Sequence, residues 1–592
     1  MALQVWLPLN GDLTNNGVGN PAISCNATVD NAGKIGKCYA CASGNHISFT
    51  NPITTSTTDF AISCWIYVTE YTSGYSSVFS SRTATSGKGL ALWVQSGSIR
   101  FDDGENWTVS NTFTLNTWTH ICVTYSKTKG KAIYVNGNLI GSKATVGTLA
   151  NLRSELFIGY DHYGYYLGGK VNDLRVWEGS TPSPKEVEIL SRGLVLHYPL
   201  SLPMPNLAKG SNTDSTSTNV FGFSEATGGS TRSIEYDGGI PCAKITRNST
   251  AHSSWSFLYY SNWDRSAIKP STTYTLSFDI IGSGSGSIGF SGFMQTNATN
   301  NISASIETIQ NTFNADKWSH LVFRTTTIAD FTDKGTSQTI YMNCSFLHGV
   351  NTWIMMKNMK LEEGVHDTPW IPHTSDTGYS TMGLNSTTEY DVSGYKYNGT
   401  KLGSPTYSSD TPRYSTSTSF NGVDDCIQVP LNTFFPNAGS FTINLWFNKH
   451  EIGSKNYETV FGGISGFEMD TRNNSSTTLS YYVTGNGRGL TVQSPLNFDT
   501  WYMLTMVCDG TNELYYLNGE YKKQIEKKGM PTGNYFIGAW NSATQQNFKG
   551  LISDFRVYAT ALTSTQIQEL YNTPVSISNN GRILTQGEYV EI

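Results

Sequence analysis

Hydrophobic and polar residues alternate over short stretches along most of this chain, a period typical of half-buried β-strands. Leu3-Gln-Val-Trp-Leu-Pro-Leu9 near the start and Thr273-Tyr-Thr-Leu-Ser-Phe-Asp-Ile280 near the middle are two examples. Helical patterns are confined to two short segments, Pro184 to Leu190 and Thr565 to Tyr571. The pattern therefore predicts an all-β protein with two short helices.

One set of sequence landmarks occurs twice, about 380 residues apart. The shared features are a strand that ends in tryptophan, an Asn-Gly turn, and a Phe-Ile-Gly segment followed by Asp-x-Arg-Val. They fall in Phe60–Trp65 and Phe441–Trp446, in Asn136-Gly137 and Asn518-Gly519, and in Phe157–Trp177 and Phe536–Tyr558. Asn-Gly between β-forming residues favours a two-residue type I′ hairpin turn. The repeat indicates that one module is present in two copies.

These landmarks resemble the laminin-G-like, concanavalin A-like family, whose fold is a jelly-roll sandwich of two antiparallel sheets. The resemblance covers roughly residues 1–193 and 381–573. It implies two concanavalin A-like (LamG-like) jelly-roll sandwiches, with a third β-sandwich inserted into the second one. The fold hosts lectins, glycosidases and scaffolds, so the resemblance implies fold more strongly than function.

The second module is predicted to be discontinuous. A near copy of the first strand, Leu194-Val-Leu-His-Tyr-Pro-Leu200, directly follows the first module, but its continuation begins only near Glu389-Tyr-Asp391. We therefore expect module one in residues 1–193, module two in 194–200 plus 381–573, an inserted β-sandwich in 201–380 and a tail in 574–592. The tail is expected to be a linker, an anchor or a strand added to a neighbouring subunit.

The insert resembles the carbohydrate-binding-module-like jelly rolls of phage tail proteins. The residues that carry this resemblance are Pro205-Asn-Leu207, Lys269 to Phe278, Lys357 to Glu363 and Thr368 to Pro372.

Composition narrows the function classes. Only 14% of the 592 residues are charged and the net charge is −6, so no basic stripe favours nucleic acid. No apolar run is long enough to span a membrane. The first residues lack the pattern of a secretory signal, and the nine cysteines are odd in number, so we expect reduced, buried thiols and folding in a cytosol.

Catalytic motifs are incomplete. Glu468-Met-Asp470 resembles the first part of the Glu-x-Asp-x-x-Glu strand of concanavalin A-like glucanases, but Asn473 stands where the closing glutamate would be. Glycoside hydrolysis needs a pair of carboxyl groups, and the matching strand of module one, Gly89 to Val94, has none. The ten histidines fall in no hydrolase or metalloprotease motif. We therefore expect no enzymatic activity.

Aromatic residues give the stronger binding signal. Flat rings beside polar side chains suit sugars, whose C–H faces stack on the ring. The predicted glycan-binding residues are Tyr160, Asp161, His162, Tyr163, Tyr165, Tyr166, Trp93 and Trp107 in module one, and Trp540 and Asn541 at the matching place in module two. A loop that packs as a plug or in a subunit contact would have the same composition. A further cluster in the insert comprises Trp255, Tyr259, Tyr260 and Trp263.

Two groups of acidic residues are expected to have roles other than glycan binding. Asp173 with Arg175, and Asp554 with Arg556, are expected to pair with each other as part of the framework. Asp12, Asp161 and Asp391 are candidate calcium ligands, because the family that the modules resemble often binds calcium. No dense Asp-x-Asp loop is present, so no cofactor is expected, with calcium as the open alternative.

Together these observations favour a non-catalytic bacteriophage virion protein. In that hypothesis the chain folds in the host cytoplasm and joins a tail- or head-attached fibre as a homo-oligomer or in many copies. Its partners would be other virion proteins and a host cell-surface polysaccharide or glycan. The alternatives are a bacterial carbohydrate-binding or adhesive protein and, less favoured, a glycosidase of the concanavalin A-like fold.

Overall fold

Short antiparallel strands joined by tight turns make up most of the protein, which confirms the all-β prediction. The structure, a computed structural model, describes residues 2–17, 19–71, 74–83, 89–200, 223–225, 230–237, 240–248, 256–260, 268–295, 302–313, 315, 318–329, 338–345, 350–363, 387–391, 393–408, 410–412, 416–431, 434–450, 457–463, 466–475, 478–485, 487–542, 544–572, 575–577 and 583–585. The chain forms two compact units. The first contains residues 1–200, 388–575 and 585–592, and the second contains residues 201–387 and 576–584.

Two sheets form the first jelly roll, residues 2–193. Its strands are β1 (Ala2–Leu7), β2 (Ile23–Cys25), β3 (Thr28–Asp30), β4 (Cys38–Cys41), β5 (Ile47–Thr50), β6 (Asp59–Glu70), β7 (Ser76–Ser81), β8 (Leu90–Gln95), β9 (Ser98–Asp102), β10 (Asn106–Ser110), β11 (Trp118–Ser126), β12 (Gly130–Val135), β13 (Asn138–Lys143), β14 (Glu155–Ile158), β15 (Tyr160–Asp161), β16 (Tyr165–Tyr166) and β17 (Gly168–Glu178). One sheet has the order β13-β12-β11-β6-β17-β4-β3, with β1 also paired to β17. The other, here called the β8 sheet, has the order β10-β9-β8-β7-β14-β5-β2.

Alternation along β8 decides which side chains face the core. Leu90, Leu92 and Val94 lie in the core between the two sheets. Trp93, which stands between them in sequence, is on the opposite face of the β8 sheet, because successive side chains of a strand point to opposite faces. Helix α1 (Pro184–Arg192) follows β17 and begins with a capping box between Ser183 and Glu186.

After β18 (Leu194–Tyr198) the chain enters the second compact unit, which contains two antiparallel sheets. Its strands are β19 (Phe223–Glu225), β20 (Ser230–Asp237), β21 (Ile240–Arg247), β22 (Ser256–Tyr260), β23 (Thr273–Gly282), β24 (Gly286–Gln295), β25 (Ser303–Gln310), β26 (Thr312–Phe313), β27 (Ser319–Thr327), β28 (Gln338–Cys344) and β29 (Trp353–Glu363). The orders are β19-β22-β28-β24-β26 and β20-β21-β29-β23-β27-β25. Phe278, Phe323 and Met342 lie in its core. The third predicted β-sandwich is confirmed.

The second jelly roll comprises β18 and residues 388–572. Its other strands are β30 (Thr388–Glu389), β31 (Gly399–Leu402), β32 (Thr406–Ser408), β33 (Ser417–Asn421), β34 (Cys426–Val429), β35 (Phe441–Asn448), β36 (Tyr457–Gly463), β37 (Phe467–Ser475), β38 (Thr478–Gly485), β39 (Arg488–Leu496), β40 (Trp501–Cys508), β41 (Asn512–Leu517), β42 (Glu520–Glu526), β43 (Tyr535–Ile537) and β44 (Lys549–Tyr558). The helices are α2 (Phe434–Asn437) and α3 (Ser564–Asn572). One sheet has the order β32-β33-β44-β35-β40-β41-β42, with β18 also paired to β44, and the β37 sheet has the order β30-β31-β34-β43-β36-β37-β38-β39.

The Asn-Gly turns have the backbone that their sequence predicts. Asn136 and Gly137 have φ of 49° and 79°, and Asn518 and Gly519 have φ of 54° and 79°. Positive φ at both central positions is the signature of a type I′ hairpin turn. The turns join β12 to β13 and β41 to β42.

The first and last strands of each jelly roll pair in the same register. Trp6 in β1 lies opposite Arg175 in β17, and His197 in β18 lies opposite Arg556 in β44. The first strand of the second jelly roll is thus separated in sequence from the rest of its sheet by the entire second compact unit. Residues 381–386, where the sequence analysis places the return to module two, lie outside the described residues.

A buried Asp-Arg pair follows a bulge at the same place in both copies. Asp173 and Asp554 have φ of 49° and 55°, and the register shifts beside each of them. The Nε of Arg175 donates to Asp173 over 3.2 Å, and the Nε of Arg556 donates to Asp554 over 2.7 Å. The predicted pairing is confirmed, and the bulge brings the two charged side chains together.

The two jelly rolls share a hydrophobic core. Trp6 and Trp177 of the first belong to the same buried cluster as Phe555 of the second. The rings of Trp6 and Tyr395 meet edge to face, with centroids 5.7 Å apart. Between helices α1 and α3, the buried Arg192 forms an ion pair of 2.6 Å with Glu569. The two copies therefore form one packed body.

The remaining expectations about the chain have mixed outcomes. All nine cysteines lie in described segments and none is in a disulfide, and all are buried except the half-buried Cys25. In the tail, β45 (Val575–Ile577) and β46 (Ile583–Thr585) form a two-stranded sheet, and the rest lies outside the described residues. No helix in the described parts of the chain has the length and apolar character needed to cross a membrane.

Deleting residues 201–387 tests the predicted discontinuous domain. The backbone N–H of Leu200 donates to the carboxylate of Glu389, so a short Gly-Ser linker can join the two ends. We expect this variant to unfold cooperatively, with the far-UV spectrum of a β-sandwich protein.

The matched control deletes residues 194–387, which also removes β18. It leaves Asp554 and Arg556 without the strand that covers them, so we expect it to be aggregated or far less stable. Equal stability of the two variants in a denaturant titration would show that β18 is not part of the second jelly roll.

Candidate functional site

The aromatic segment after β14 folds as a small hairpin, β15–β16, that packs against β7. The N–H of Leu167 donates to the carbonyl of Gly159 over 2.9 Å and closes the base of the hairpin. At its tip, the N–H of Gly164 donates to the carbonyl of Asp161, also over 2.9 Å. Gly164 has φ of 91°, a conformation that residues with a Cβ rarely adopt.

A buried carboxylate anchors this hairpin. Asp161 is 0% exposed and accepts Nε of Arg82 over 2.9 Å and Nη2 of Arg82 over 2.8 Å. It also accepts the indole N–H of Trp93 over 3.2 Å and the backbone N–H of Tyr163 over 3.1 Å. Because a buried charge must be paired and hydrogen-bonded, these contacts fix the hairpin on the β8 sheet.

A cleft of about 310 Å³ opens between the hairpin and the outer face of the β8 sheet. It is lined by Tyr75, Arg82, Trp93, Arg100, Tyr163 and Tyr165. Four aromatic rings and two guanidinium groups therefore surround one concave surface, here called the cleft.

The rings and cations of the cleft contact one another. The guanidinium of Arg82 lies 4.8 Å from the ring of Trp93 and 5.1 Å from that of Tyr163. Tyr165 meets Tyr75 edge to face, with centroids 5.7 Å apart. Cation–π and edge-to-face contacts of this kind hold the rings in fixed orientations.

The structure separates the predicted glycan-binding residues into several groups. Trp93, Tyr163 and Tyr165 line the cleft. Trp93 is only 4% exposed, so it forms the floor rather than an exposed platform. Asp161 lies buried beneath them, where it anchors the hairpin. Trp107 is outside the cleft, with Nζ of Lys131 over its ring at 5.6 Å.

The base of the hairpin packs against neighbouring residues, as expected if the aromatic segment is a structural plug. Tyr160 stacks on His46 with centroids 5.0 Å apart, and Tyr166 lies opposite Tyr160 in the hairpin. His162 is exposed and meets Tyr163 edge to face at 6.1 Å. The aromatic segment is thus a plug at its base and a cleft wall at its tip.

Sequence reasoning missed Tyr75, Arg82 and Arg100. The register that brings Arg100 opposite Trp93 is a pairing between strands, and the chain contains no local motif for it. Alternation alone could have placed Arg100 on the same face as Trp93, since Ile99 and Phe101 on either side face the core.

The second jelly roll has a hairpin at the matching place. Here the N–H of Phe548 donates to the carbonyl of Gly538 over 2.9 Å, as Leu167 does to Gly159 in the first copy. Trp540 and Asn541 are half-buried in this hairpin. The indole N–H of Trp540 is buried and has no hydrogen-bond acceptor among the described residues. The predicted correspondence between the two segments is confirmed, while their glycan binding stays a prediction.

The outer face of the β37 sheet carries different chemistry. Trp93 pairs with Arg100 across β8 and β9, and at the same place Asp470 pairs with Tyr482 across β37 and β38. On their other side, Trp93 lies opposite Ser77 of β7 and Asp470 lies opposite Thr459 of β36. A bulge directly follows each of these two partners. A tryptophan and an arginine in the first jelly roll thus correspond to an aspartate and a tyrosine in the second.

The carboxylates of this face are partly neutralised. The Nε of Arg472 donates to Asp470 over 2.8 Å, and its guanidinium lies 4.6 Å from the ring of Tyr457 and 4.3 Å from that of Tyr482. Burial raises the pKa of Asp470. Burial, and then the charge of Asp470, raise the pKa of Glu468 to about 7.

The three calcium candidates have separate hydrogen-bonding roles. Asp12 accepts the N–H of Thr14 in a turn. Asp161 binds Arg82, and Asp391 accepts the backbone N–H groups of His197, Ser393 and Tyr397. Among the described residues, no group of three or more His, Cys, Asp or Glu side chains is arranged to hold a metal ion.

Replacing Glu468 by glutamine is expected to change stability in a pH-dependent way. The folded state keeps a proton on Glu468 up to about pH 7, while the unfolded chain loses it near the ordinary value, so stability from this group is lost as pH rises through 7. Glu468→Gln should therefore raise the melting temperature relative to the parent at pH 8.5 more than at pH 5.

The control is Glu526→Gln, because the Glu526 side chain is 82% exposed and should respond little to either pH. Thermal unfolding of the three proteins at the two pH values measures the difference. An equal shift for Glu468→Gln at both pH values would contradict the raised pKa.

Two regions of the sequence, residues 42–188 and 421–568, match the profile of the concanavalin A-like lectin/glucanases superfamily. No curated protein sequence matches the chain significantly. Among solved structures, domain 4 of the GH43 extracellular arabinanase AbnA from Geobacillus stearothermophilus, in complex with arabinotriose, is 18% identical. The match covers 32% of this chain and 98% of that one, with a TM-score of 0.27.

Two other solved structures are similarly distant. The binding domain of Paraclostridial Mosquitocidal Protein 1 is 17% identical over 42% of this chain and 65% of that one, with a TM-score of 0.27. The CBM40 of Ruminococcus gnavus IT-sialidase, bound to α2,3-sialyllactose, is 12% identical over 23% of this chain and 84% of that one, with a TM-score of 0.21. The matched regions lie within the two jelly rolls, which are thus similar to modules of the concanavalin A-like lectin/glucanases superfamily.

Proposed function

We propose that the cleft of the first jelly roll binds a sugar without transforming it. The observation that carries this proposal is the set of four aromatic rings held around one concave surface by the buried contacts of Asp161. The volume of about 310 Å³ is at the lower end of the range of small-ligand sites. A site of this size suits one or two sugar rings of a longer chain.

The chemistry of the lining supports a polar ring-shaped ligand. Tyr163, Tyr165 and Tyr75 are half-buried, so each offers part of a ring face and a hydroxyl group to solvent. Sugar C–H groups can stack on such faces while sugar hydroxyls bond to the phenol and guanidinium groups. Because the rings are already packed against one another, little conformational entropy is lost on binding.

The arrangement of carboxyl groups favours binding over hydrolysis. In the first jelly roll, none of the described residues that line the cleft has a carboxyl group, and Asp161 beneath it is buried and paired with Arg82. In the second jelly roll, Asp470 forms an ion pair with Arg472. The other carboxyl group on the same face of that strand belongs to Glu468, which the charge of Asp470 affects. Glycoside hydrolysis needs two carboxyl groups placed on either side of the scissile bond. A non-catalytic role is therefore part of the proposal.

We further propose that the chain serves as a bacteriophage virion protein that adsorbs to host surface glycans. The support comes from the sequence: the insert resembles phage tail modules between Lys269 and Phe278, and the chain is poor in charge. Other parts of that resemblance, Pro205 to Leu207 and Thr368 to Pro372, lie outside the described residues. Many copies on one particle would raise the avidity of a weak single site by orders of magnitude.

Removing two rings of the cleft tests sugar binding. The double variant Tyr163→Ala with Tyr165→Ala deletes two walls, and stacking on each ring contributes on the order of 1 kcal/mol. We expect about tenfold or greater loss of affinity for any glycan that the parent binds on a glycan array and in calorimetry. The melting temperature should change little, because both side chains lie outside the hydrophobic core of the first jelly roll.

His162→Ala is the matched control, since His162 directly precedes Tyr163 on the same hairpin and is exposed. It should retain binding. A large fall in melting temperature for the double variant, with unchanged affinity, would assign the hairpin a structural role instead.

The virion proposal has its own test. Mass spectrometry of particles purified from infected or induced host cultures should detect this chain at several copies per particle. Detection only in the culture supernatant of uninfected cells would favour the bacterial adhesin, and release of reducing sugar by the intact chain would favour the glycosidase.

A further inference from the structure

The two cations of the cleft are in different electrostatic situations. Arg82 is 6% exposed and forms a two-point contact with the buried Asp161. Its charge is therefore matched within the protein. Arg100 is half-buried and forms no ion pair with a described residue. Among the described residues, Arg100 is therefore the cation of the cleft that has no directly bonded carboxylate.

Neutral groups hold the guanidinium of Arg100. Its Nε donates to the side-chain oxygen of Asn106 over 3.1 Å, and its Nη1 donates to the hydroxyl of Tyr75 over 3.4 Å. Its central carbon lies 5.6 Å from the ring of Tyr75 and 5.6 Å from that of Trp93. The group is oriented by these contacts without being neutralised by them.

The carboxylate nearest to Arg100 along β9, that of Asp102, is not hydrogen-bonded to it. Asp102 lies two residues further along β9, is 0% exposed, and accepts the N–H of Gly104 over 2.9 Å. Its Oδ2 is buried without a hydrogen-bond donor among the described residues. Burial raises the pKa of Asp102 to about 6, although the charges of Arg82 and Arg100 act in the opposite direction.

We propose that Arg100 makes the cleft selective for sugars that carry a carboxylate group, such as uronic or sialic acids. This inference rests on the proposed sugar binding and adds the class of sugar. The Nε and Nη1 of Arg100 already donate to Asn106 and Tyr75, so its Nη2 is the nitrogen that, among the contacts of the described residues, is left to donate to a carboxylate oxygen. The rings of Tyr163 and Tyr165 are then available to stack on the sugar ring.

The second jelly roll provides an internal contrast. Tyr482 occupies the position of Arg100, and Asp470 occupies that of Trp93. The cation of that face, Arg472, is already paired with Asp470. A carboxylated sugar has no comparable unpaired cation there among the described residues, so the preference belongs to the first jelly roll.

The test compares acidic and neutral ligands of the same shape on the full chain. Calorimetry compares the affinity for tri-galacturonic acid with that for its methyl ester, which differ in the charge of the carboxyl groups. A second comparison, of sialyllactose with lactose, tests a carboxylate supplied by sialic acid instead of a uronic acid. We expect at least one acid to bind about tenfold more tightly than its neutral counterpart at low salt, with the difference reduced at high salt.

Variants of Arg100 assign the preference to this residue. Arg100→Gln should remove the acid preference, so that the acid and its neutral counterpart bind within about threefold of each other, and Arg100→Lys should retain part of the preference. Lys129→Gln is the control, because it removes one positive charge from an exposed turn of the opposite sheet. It should leave the preference unchanged, and thermal unfolding verifies that each variant is folded.

Three outcomes would overturn the inference. The first is equal affinity for acid and neutral ligand in both pairs, which leaves sugar binding intact and removes only the selectivity. The second is an acid preference that survives in folded Arg100→Gln. The third is the absence of binding by any of the four ligands and by the array, which would overturn the proposed function as well. If Arg100→Gln is unfolded, the parent and Arg100→Lys decide the question.

Discussion

The buried pair between an aspartate and an arginine two residues later is the interaction on which each jelly roll depends. In the second copy, Asp554 accepts two bonds from Arg556 and one from Nε2 of His197, at 2.7, 3.1 and 2.9 Å. In the first copy, the indole N–H of Trp6 replaces the histidine and donates to Asp173 over 2.7 Å. Removing one member of a buried pair costs about 3–5 kcal/mol, because the other charge stays buried. The first strand therefore has to return to the last one, whatever length of chain lies between them, and the insertion at Leu200 is tolerated for that reason.

The requirement that a buried charge be paired also determines the arrangement of the cleft. Asp161 has no access to water, so its charge is compensated only by the groups that surround it. Those groups come from β8, from the end of β7 and from the hairpin itself, through Trp93, Arg82 and the N–H of Tyr163. A framework interaction thus sets the positions of the rings that face solvent. The cleft is rigid because its floor is a satisfied charge network, and rigid sites lose less entropy when they bind.

The fold was largely predictable from the sequence, and the site only in part. Alternation, the Asn136-Gly137 turn and its copy, and the Asp-x-Arg segments are local patterns, and each has the structure that local physical rules predict. The tip of the aromatic hairpin was also found from composition. Arg82 and Arg100 were missed because they reach the cleft through pairing between strands, which leaves no contiguous motif. The burial of Trp93 was missed for a related reason: its indole N–H is held by Asp161, 68 residues away in sequence.

The two copies diverge where the fold permits it. Positions that face the core must keep their volume, since cavities and overpacking both destabilise, whereas outward positions of a sheet vary at little cost. Trp93 and Asp470 are such outward positions, as are Arg100 and Tyr482. One face therefore carries Arg100, which forms no ion pair with a described residue, and the other carries carboxyl groups beside Arg472, which is paired with Asp470. A ligand whose charge suits the first face is disfavoured on the second, because like charges brought together without water are costly. Since the jelly rolls share one core around Trp6 and Phe555, these two unlike faces belong to one compact unit. The proposed binding chemistry of the first face can therefore differ from the chemistry of the second without any change in the shared framework.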